Sequence, residues 1–328
     1  MTDRDNQHFL PRFILKGFYS RRKKKEFYTW VFSNKSKVPY ESNIKKIGAE
    51  HHFYKEEKDK SDLDDNITKN IEPNSSKCIE ELRKQSFSRK LIDEVEILKK
   101  FIHFQIFRTK NARYFVDTFI KAGIDMLDFN EIVHKIMSSE ECKRLCLEEG
   151  KKNGIKPEEI KKLFFKCLIN QREKFHSFIS FPEKDKKYFD RIKTNIHNSA
   201  LSSSINKIEN SPFLQHLNWY LFISDKEELI LGDSCCFSKD LNGKFGVWVN
   251  SKDDLYQVIL PISNTHLIVG SKECTNSVDF EEINFGACSC SKEFFISSKN
   301  TEREIEYKKH IGASDFISDW GNILNDVS

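Results

Sequence analysis

No run of about 18 apolar residues occurs in the chain, so no membrane-spanning helix is expected. The opening, MTDRDNQH, lacks the basic segment and long apolar core of a secretory signal, and export is not expected either. There is no Gly-x-x-x-x-Gly-Lys-[Ser/Thr] loop to cradle a nucleotide's phosphates. There is no Gly-x-Ser-x-Gly elbow to present a nucleophilic serine. A surplus of one charge is missing too: 54 basic residues stand against 50 acidic ones, a net charge of +4, which falls short of a DNA-coating protein. Cysteines number nine, but not in metal-site spacing. Cys142 and Cys146 are four apart, Cys288 and Cys290 two apart, and His51 and His52 adjacent, whereas structural zinc wants Cys-x2-4-Cys pairs flanking a loop. An odd number of thiols without an export signal points to the reducing cytosol.

What is present is a foldable chain of 328 residues, 32% charged and 38% hydrophobic, with 28 phenylalanines to build an aromatic core. Residues 9–18 read as one or two helical turns, with Pro11 at the first helical position and Gly17 at the exit. Residues 26–32, EFYTWVF, read as a strand after the basic knot RRKKK (21–25), which suits a surface loop or a phosphate contact. HHFYK (51–55) reads as a short strand. Helices are expected from near Ile67 through SKCIEELRKQ, then over 91–123, 129–150 and 156–179, with one more from 184 towards 208. From Ser211 onward the pattern turns to short β-rich segments at 217–224, 228–233, 244–250, 256–263 and 266–271, and a helix over 301–320 closes the chain. The expected class is α+β: an antiparallel or mixed sheet, mainly in the C-terminal half, packed against a central helical block. The whole, 1–328, reads as a single domain with 125–210 as a candidate helical insertion.

A few polar residues stand in apolar surroundings. Stepping along 91–123 at helical spacing gives Leu91, Val95, Leu98, Ile102, Gln105, Thr109 and Ala112. The neighbouring row gives Ile97, Phe101, Phe104, Arg108 and Phe115. Both rows are apolar except at the level of Gln105, Arg108 and Thr109. A buried guanidinium keeps its charge, so Arg108 must meet a carboxylate, a phosphate or carbonyls. That makes it either the wall of an anion site or half of a structural ion pair. His8 precedes the short helix, whose positive end favours a neutral ring that serves as base, ligand or bridge. Arg12 follows and seeks an acidic partner. Asp233, after Gly232 in LILGDSCCF, stands at a strand end, as chemistry-bearing carboxylates and turn caps both do. Glu72 precedes Pro73 and sits at a helix edge.

These positions together resemble the bacterial domain-of-unknown-function family numbered 4238. Its opening His-x-x-Pro-[Arg/Gln]-Phe-x-Leu-x-x-Phe segment is met by His8, Pro11, Arg12, Phe13, Leu15 and Phe18. Its Gln-x-x-Arg-Thr helix is met by Gln105, Arg108 and Thr109. Its Ser-Asp-x-Pro turn is met at Asp233, although Gly232 replaces the serine and Cys235 the proline. Glu72 fits a glutamate early in the family's second helix. The family implies no settled activity.

Two functions fit these residues. In the first the protein is a nuclease or other phosphate-acting hydrolase, with a role in phage defence or toxicity, and its partner is a nucleic acid or nucleotide. His8 serves as base or ligand, Gln105 orients a water or ligand, and Arg108 stabilises phosphoryl charge. Glu72 and Asp233 bind Mg²⁺ or Mn²⁺. In the second the set is a structural polar network in a non-catalytic module, and the 129–210 helices present a surface to a protein partner.

Overall fold

A computed structural model describes residues 6–51, 69, 71–114, 134, 137–138, 140–170, 214–226, 228–247 and 254–314. In chain order its elements are β1 (Asn6–His8), α1 (Arg12–Leu15), β2 (Arg21–Lys23), β3 (Glu26–Ser33), β4 (Tyr40–Asn43), β5 (Ala49–His51), α2 (Glu72–Leu82), β6 (Arg89–Lys90) and α3 (Val95–Phe107). There follow α4 (Glu140–Asn153), α5 (Pro157–Asn170), β7 (Asn218–Ile223), β8 (Leu231–Gly232), β9 (Phe237–Asp240), β10 (Phe245–Gly246), β11 (Leu255–Pro261), β12 (His266–Ser271), α6 (Phe280–Ser289), β13 (Phe294–Ser297) and α7 (Glu302–Lys308). The chain is α+β. It divides into two compact units: Met1–Phe115 with Thr194–Ser328, and Val116–Lys193.

Among its described residues the first unit holds three antiparallel sheets. The largest has the order β10-β9-β11-β12-β7-β6. Its central strands, LYQVILP and HLIVGS, are rich in β-branched and leucine side chains and almost wholly buried, as strands covered on both faces must be. The second sheet runs β2-β3-β13-β8, with β4 also paired to β3. Here β3, the strand expected from EFYTWVF, meets β13 from far along the chain, and Phe32 stacks on Phe295 with ring centroids 4.8 Å apart. The Thr29 hydroxyl lies 2.7 Å from the Phe18 carbonyl and 2.9 Å from that of Ser297, tying the opening segment to the same strand. The third sheet is the two-stranded ribbon β1–β5, in which His8 faces Ala49. Phenylalanines fill the core as the composition suggests: Phe9, Phe18, Phe32, Phe101, Phe104 and Phe295 are all buried.

Several local expectations change. Pro11 occupies the cap position in an extended conformation, and α1 starts only at Arg12. Gly17 does not end that helix. It lies in a tight turn over Lys16–Phe18, pressed against the backbone of β11's exit, where an added Cβ would sit 2.2 Å from the Ile262 carbonyl oxygen. The long helix breaks: α3 ends at Phe107, Arg108 caps it, and the turn at Thr109 starts a fresh helical stretch over 110–114. The cause is Thr109, whose hydroxyl accepts the Ala112 N–H at 3.2 Å and so caps the new turn. The expected strands at 228–233 and 244–250 shrink to β8 and β10. The expectations for 52–55, 115–123, 129–133, 171–179, 184–208, 248–250 and 315–320 fall outside the described residues.

The second unit contributes α4 and α5, joined through Gly154 with its left-handed φ of +65°. Pro157 opens α5, as its helix-starting chemistry requires. Cys142 and Cys146 share one buried face of α4. Among the described residues no helix is long and apolar enough to cross a membrane.

Candidate functional site

The β1–β5 ribbon delivers His8 at its end. Just beyond, the Phe9 and Leu10 N–H groups both donate to the Gly48 carbonyl, at 2.8 and 3.1 Å, and fix the chain's direction into α1. Four residues on, Arg12 Nε donates to His8 Nε2 across a long 3.4 Å. The imidazole is an acceptor there and therefore neutral. Its pKa is lowered to about 4, first by burial, then by the positive charges of Arg12 and Arg108; a backbone bond at Lys45 and the charge of Glu72 act the other way. A neutral ring was expected from the helix end, but α1 has only four residues, and burial with two guanidinium groups is the cause instead.

Arg108 reaches the same place from the end of α3. Its Nη1 donates to Glu72 Oε1 at 2.6 Å, and its guanidinium lies 5.5 Å from the centre of the Phe104 ring. Glu72 is the first residue of α2, with Pro73 next, so the carboxylate stands at a helix N-terminus where negative charge is favoured. The Arg108 side chain is 4% exposed and that of Glu72 26%. Arg12 is exposed and has no acidic partner among the described residues. Four of the expected residues, His8, Arg12, Glu72 and Arg108, thus form one cluster that is sealed on the α3 side and open at Arg12.

Gln105 and Thr109 stand behind this cluster, fully buried. Gln105 Nε2 donates to the Phe9 carbonyl at 2.8 Å, while its Oε1 has no hydrogen-bond partner among the described residues. Thr109 is spent on capping, as described above.

Asp233 departs from expectation. Its turn does approach Arg108, whose charge acts on Cys235 two residues later. The carboxylate, however, faces away. Oδ1 accepts the Lys292 N–H at 2.7 Å, and Oδ2 accepts those of Glu293 and Phe294 at 2.6 and 3.2 Å. Three of a carboxylate's roughly four acceptor positions are taken, and the residue is buried. The pair of metal-binding carboxylates expected from Glu72 and Asp233 therefore does not form: Glu72 holds Arg108 and Asp233 holds backbone. Among the described residues no group of three or more His, Cys, Asp or Glu is placed to hold a metal ion, and the donor set does not fit Mg²⁺ or Mn²⁺. Burial lifts the Asp233 pKa to about 6 against the pull of its three N–H bonds. The turn is also strained, since Cys235 takes a left-handed φ of 63°.

Sequence reasoning missed Arg83. From the end of α2 it donates to the carbonyls of Phe13 at 2.7 Å, Ile14 at 3.0 Å and Ile262 at 2.8 Å. Burial lowers its pKa to about 10. The signal was there: Arg83 follows the buried row Cys78, Ile79 and Leu82 on the same helix.

The fold is that of an α+β protein in which a histidine–arginine–glutamate cluster is assembled from the opening strand and the ends of two helices. The chain belongs to the family described as protein of unknown function, DUF4238, which matches residues 6–304. No curated protein and no solved structure matches the chain.

Proposed function

We propose that the His8–Arg12–Glu72–Arg108 cluster recognises a phosphate group, and that the protein is a cytosolic hydrolase acting on a nucleotide or a segment of nucleic acid. One observation carries this reading: an exposed guanidinium without an acidic partner, Arg12, stands beside a neutral imidazole. A planar guanidinium grips two phosphoryl oxygens at once. Once Arg12 turns to a ligand, His8 Nε2 is freed to take a proton from water or a hydroxyl near the bound phosphate. Arg108 adds fixed positive charge behind it, and Glu72 holds Arg108 in place.

The test is binding and cleavage of a labelled single-stranded oligonucleotide. The wild type binds, Arg12→Ala weakens binding about tenfold or more without lowering the unfolding midpoint, and His8→Asn keeps binding but loses turnover. An Arg12→Ala protein that binds as the wild type does overturns the proposal.

The structural-network reading has support of its own in the sealing of Gln105, Arg108 and Thr109. It becomes the better account if the wild type binds no oligonucleotide while losing Arg108 still unfolds the protein.

A further inference from the structure

A cleft of about 320 Å³ opens in the first unit beside the β1–β5 ribbon, using none of the four cluster residues. Its apolar lining comes from Phe9, Val31, Ile47 and Phe294, and its polar lining includes Lys35, Tyr40, Ser42, Lys46, Lys110 and Glu293. That volume is at the lower end for small-molecule sites, about 300–1,000 Å³, and takes one compact ligand.

The buried motif residues cannot touch a ligand, yet each holds one wall of this cleft. Gln105 fixes Phe9 through its carbonyl. Thr109 caps the helical turn that carries Lys110. Asp233 holds the backbone of Glu293 and Phe294, whose N–H groups both donate to its Oδ2. Two stretches far apart in sequence, Gln105 with Thr109 and Asp233, thus brace a single open site.

The charges in the cleft do not cancel. Lys35 meets Glu293 at 2.6 Å, and Lys110 bridges Glu293, at 2.9 Å, and Glu50. Two lysines and two carboxylates balance. Lys46 is left exposed, with no acidic partner among the described residues. The hydroxyls of Tyr40 and Ser42 line the same space and make no side-chain hydrogen bond among the described residues.

We propose that this cleft binds a small monoanion with an apolar body, its charge on Lys46 and the Tyr40 and Ser42 hydroxyls and its body against Phe9, Val31 and Ile47. Gln105, Thr109 and Asp233 are positioning residues for it.

Calorimetric titration of the whole protein with 2-naphthoate, and with neutral 2-naphthamide as its control, tests the proposal. One naphthoate binds per chain, and the amide binds about tenfold or more weakly. Lys46→Gln removes that preference. Ser42→Trp, which fills the cleft from a partly exposed strand, abolishes both. Asp233→Asn, if folded, weakens both ligands together because it loosens the wall that both share. Arg12→Ala leaves both unchanged, which separates this site from the phosphate site. Equal affinity for acid and amide, no binding of either, or binding that survives Ser42→Trp overturns the proposal. A folded Asp233→Asn protein with wild-type affinities overturns the positioning role.

Discussion

Arg108 Nη1 lies 2.6 Å from Glu72 Oε1, and this bond joins the end of α3 to the first residue of α2. The two partners are unequally buried, so the two ways of breaking the pair differ in cost. Glu72→Ala removes the carboxylate from a sealed guanidinium and should cost about 3 kcal/mol, the low end for a broken buried pair because one side is partly wet. Arg108→Met leaves a carboxylate that water can reach and should cost less. Urea denaturation of both single variants and the double variant measures the difference. Equal costs for the two would contradict the asymmetry.

His8 and Asp233 pull stability in opposite directions with pH. The His8 pKa falls from 6.5 to about 4 on folding, so its contribution is present above 6.5 and is lost as pH falls towards 4. The Asp233 pKa rises from 3.8 to about 6, so the folded state holds that proton more tightly than the unfolded chain does. Its contribution is full below 3.8 and is lost as pH rises through about 6. Between about pH 4 and 6 the slopes offset. Replacing His8 by Asn should expose the Asp233 term, so that stability falls with rising pH across that window more steeply than in the wild type. Denaturation midpoints at half-unit pH steps check it.

Arg83 and Gly17 make a joint prediction. Arg83→Met leaves three carbonyls without their donor and should destabilise by about 2–3 kcal/mol, and Arg83→Lys should recover only part because an ammonium lacks the planar fork. Gly17→Ala places a methyl group 2.6 Å from Arg83 Nη2 and should displace the same guanidinium. Thermal melts of the three variants should rank Arg83→Lys as the mildest.

The thiols provide a check on packing. Burial pushes Cys236, Cys288 and Cys290 up to about 12 and lifts Cys235 well above the ordinary thiol range, whereas Cys274 is exposed. Thiolate is the reactive form, so native protein treated with iodoacetamide should be alkylated at Cys274 well before these four. Peptide mapping by mass spectrometry reads this directly, and early labelling of Cys235 or Cys236 would mean that the turn at Asp233 opens.

Much of the sheet was legible because local composition determines it. β3, β7, β11 and β12 each carry an unbroken run of β-branched, aromatic or leucine side chains. The meeting of His8, Glu72 and Arg108 was legible because a charge in an apolar row needs a partner. The partners of Asp233 were not, since they are backbone groups about 60 residues away and leave no trace in side-chain pattern. Nor was α6 anticipated: FEEINFGACS looks unhelical inside, and its one clear signal is Asp279, which accepts the Glu281 and Glu282 N–H groups as a cap. The break after Arg108 was hidden in the same way, because Thr109 keeps the apolar spacing while capping a new turn.

The pairing of β3 with β13 has a consequence for how the protein is made. Trp30 lies opposite Ser297, so the partner of an early, aromatic strand leaves the ribosome only after some 270 more residues, at about 5–20 residues per second. Until then the Trp30–Ser33 end of β3 lacks its β13 partner, while β2 and β4 already pair along the rest of the strand. Such long-range closure is slow, and an unpaired aromatic edge invites association between chains. Newly made copies should therefore depend on chaperones during synthesis, and expression at low temperature should raise the soluble yield.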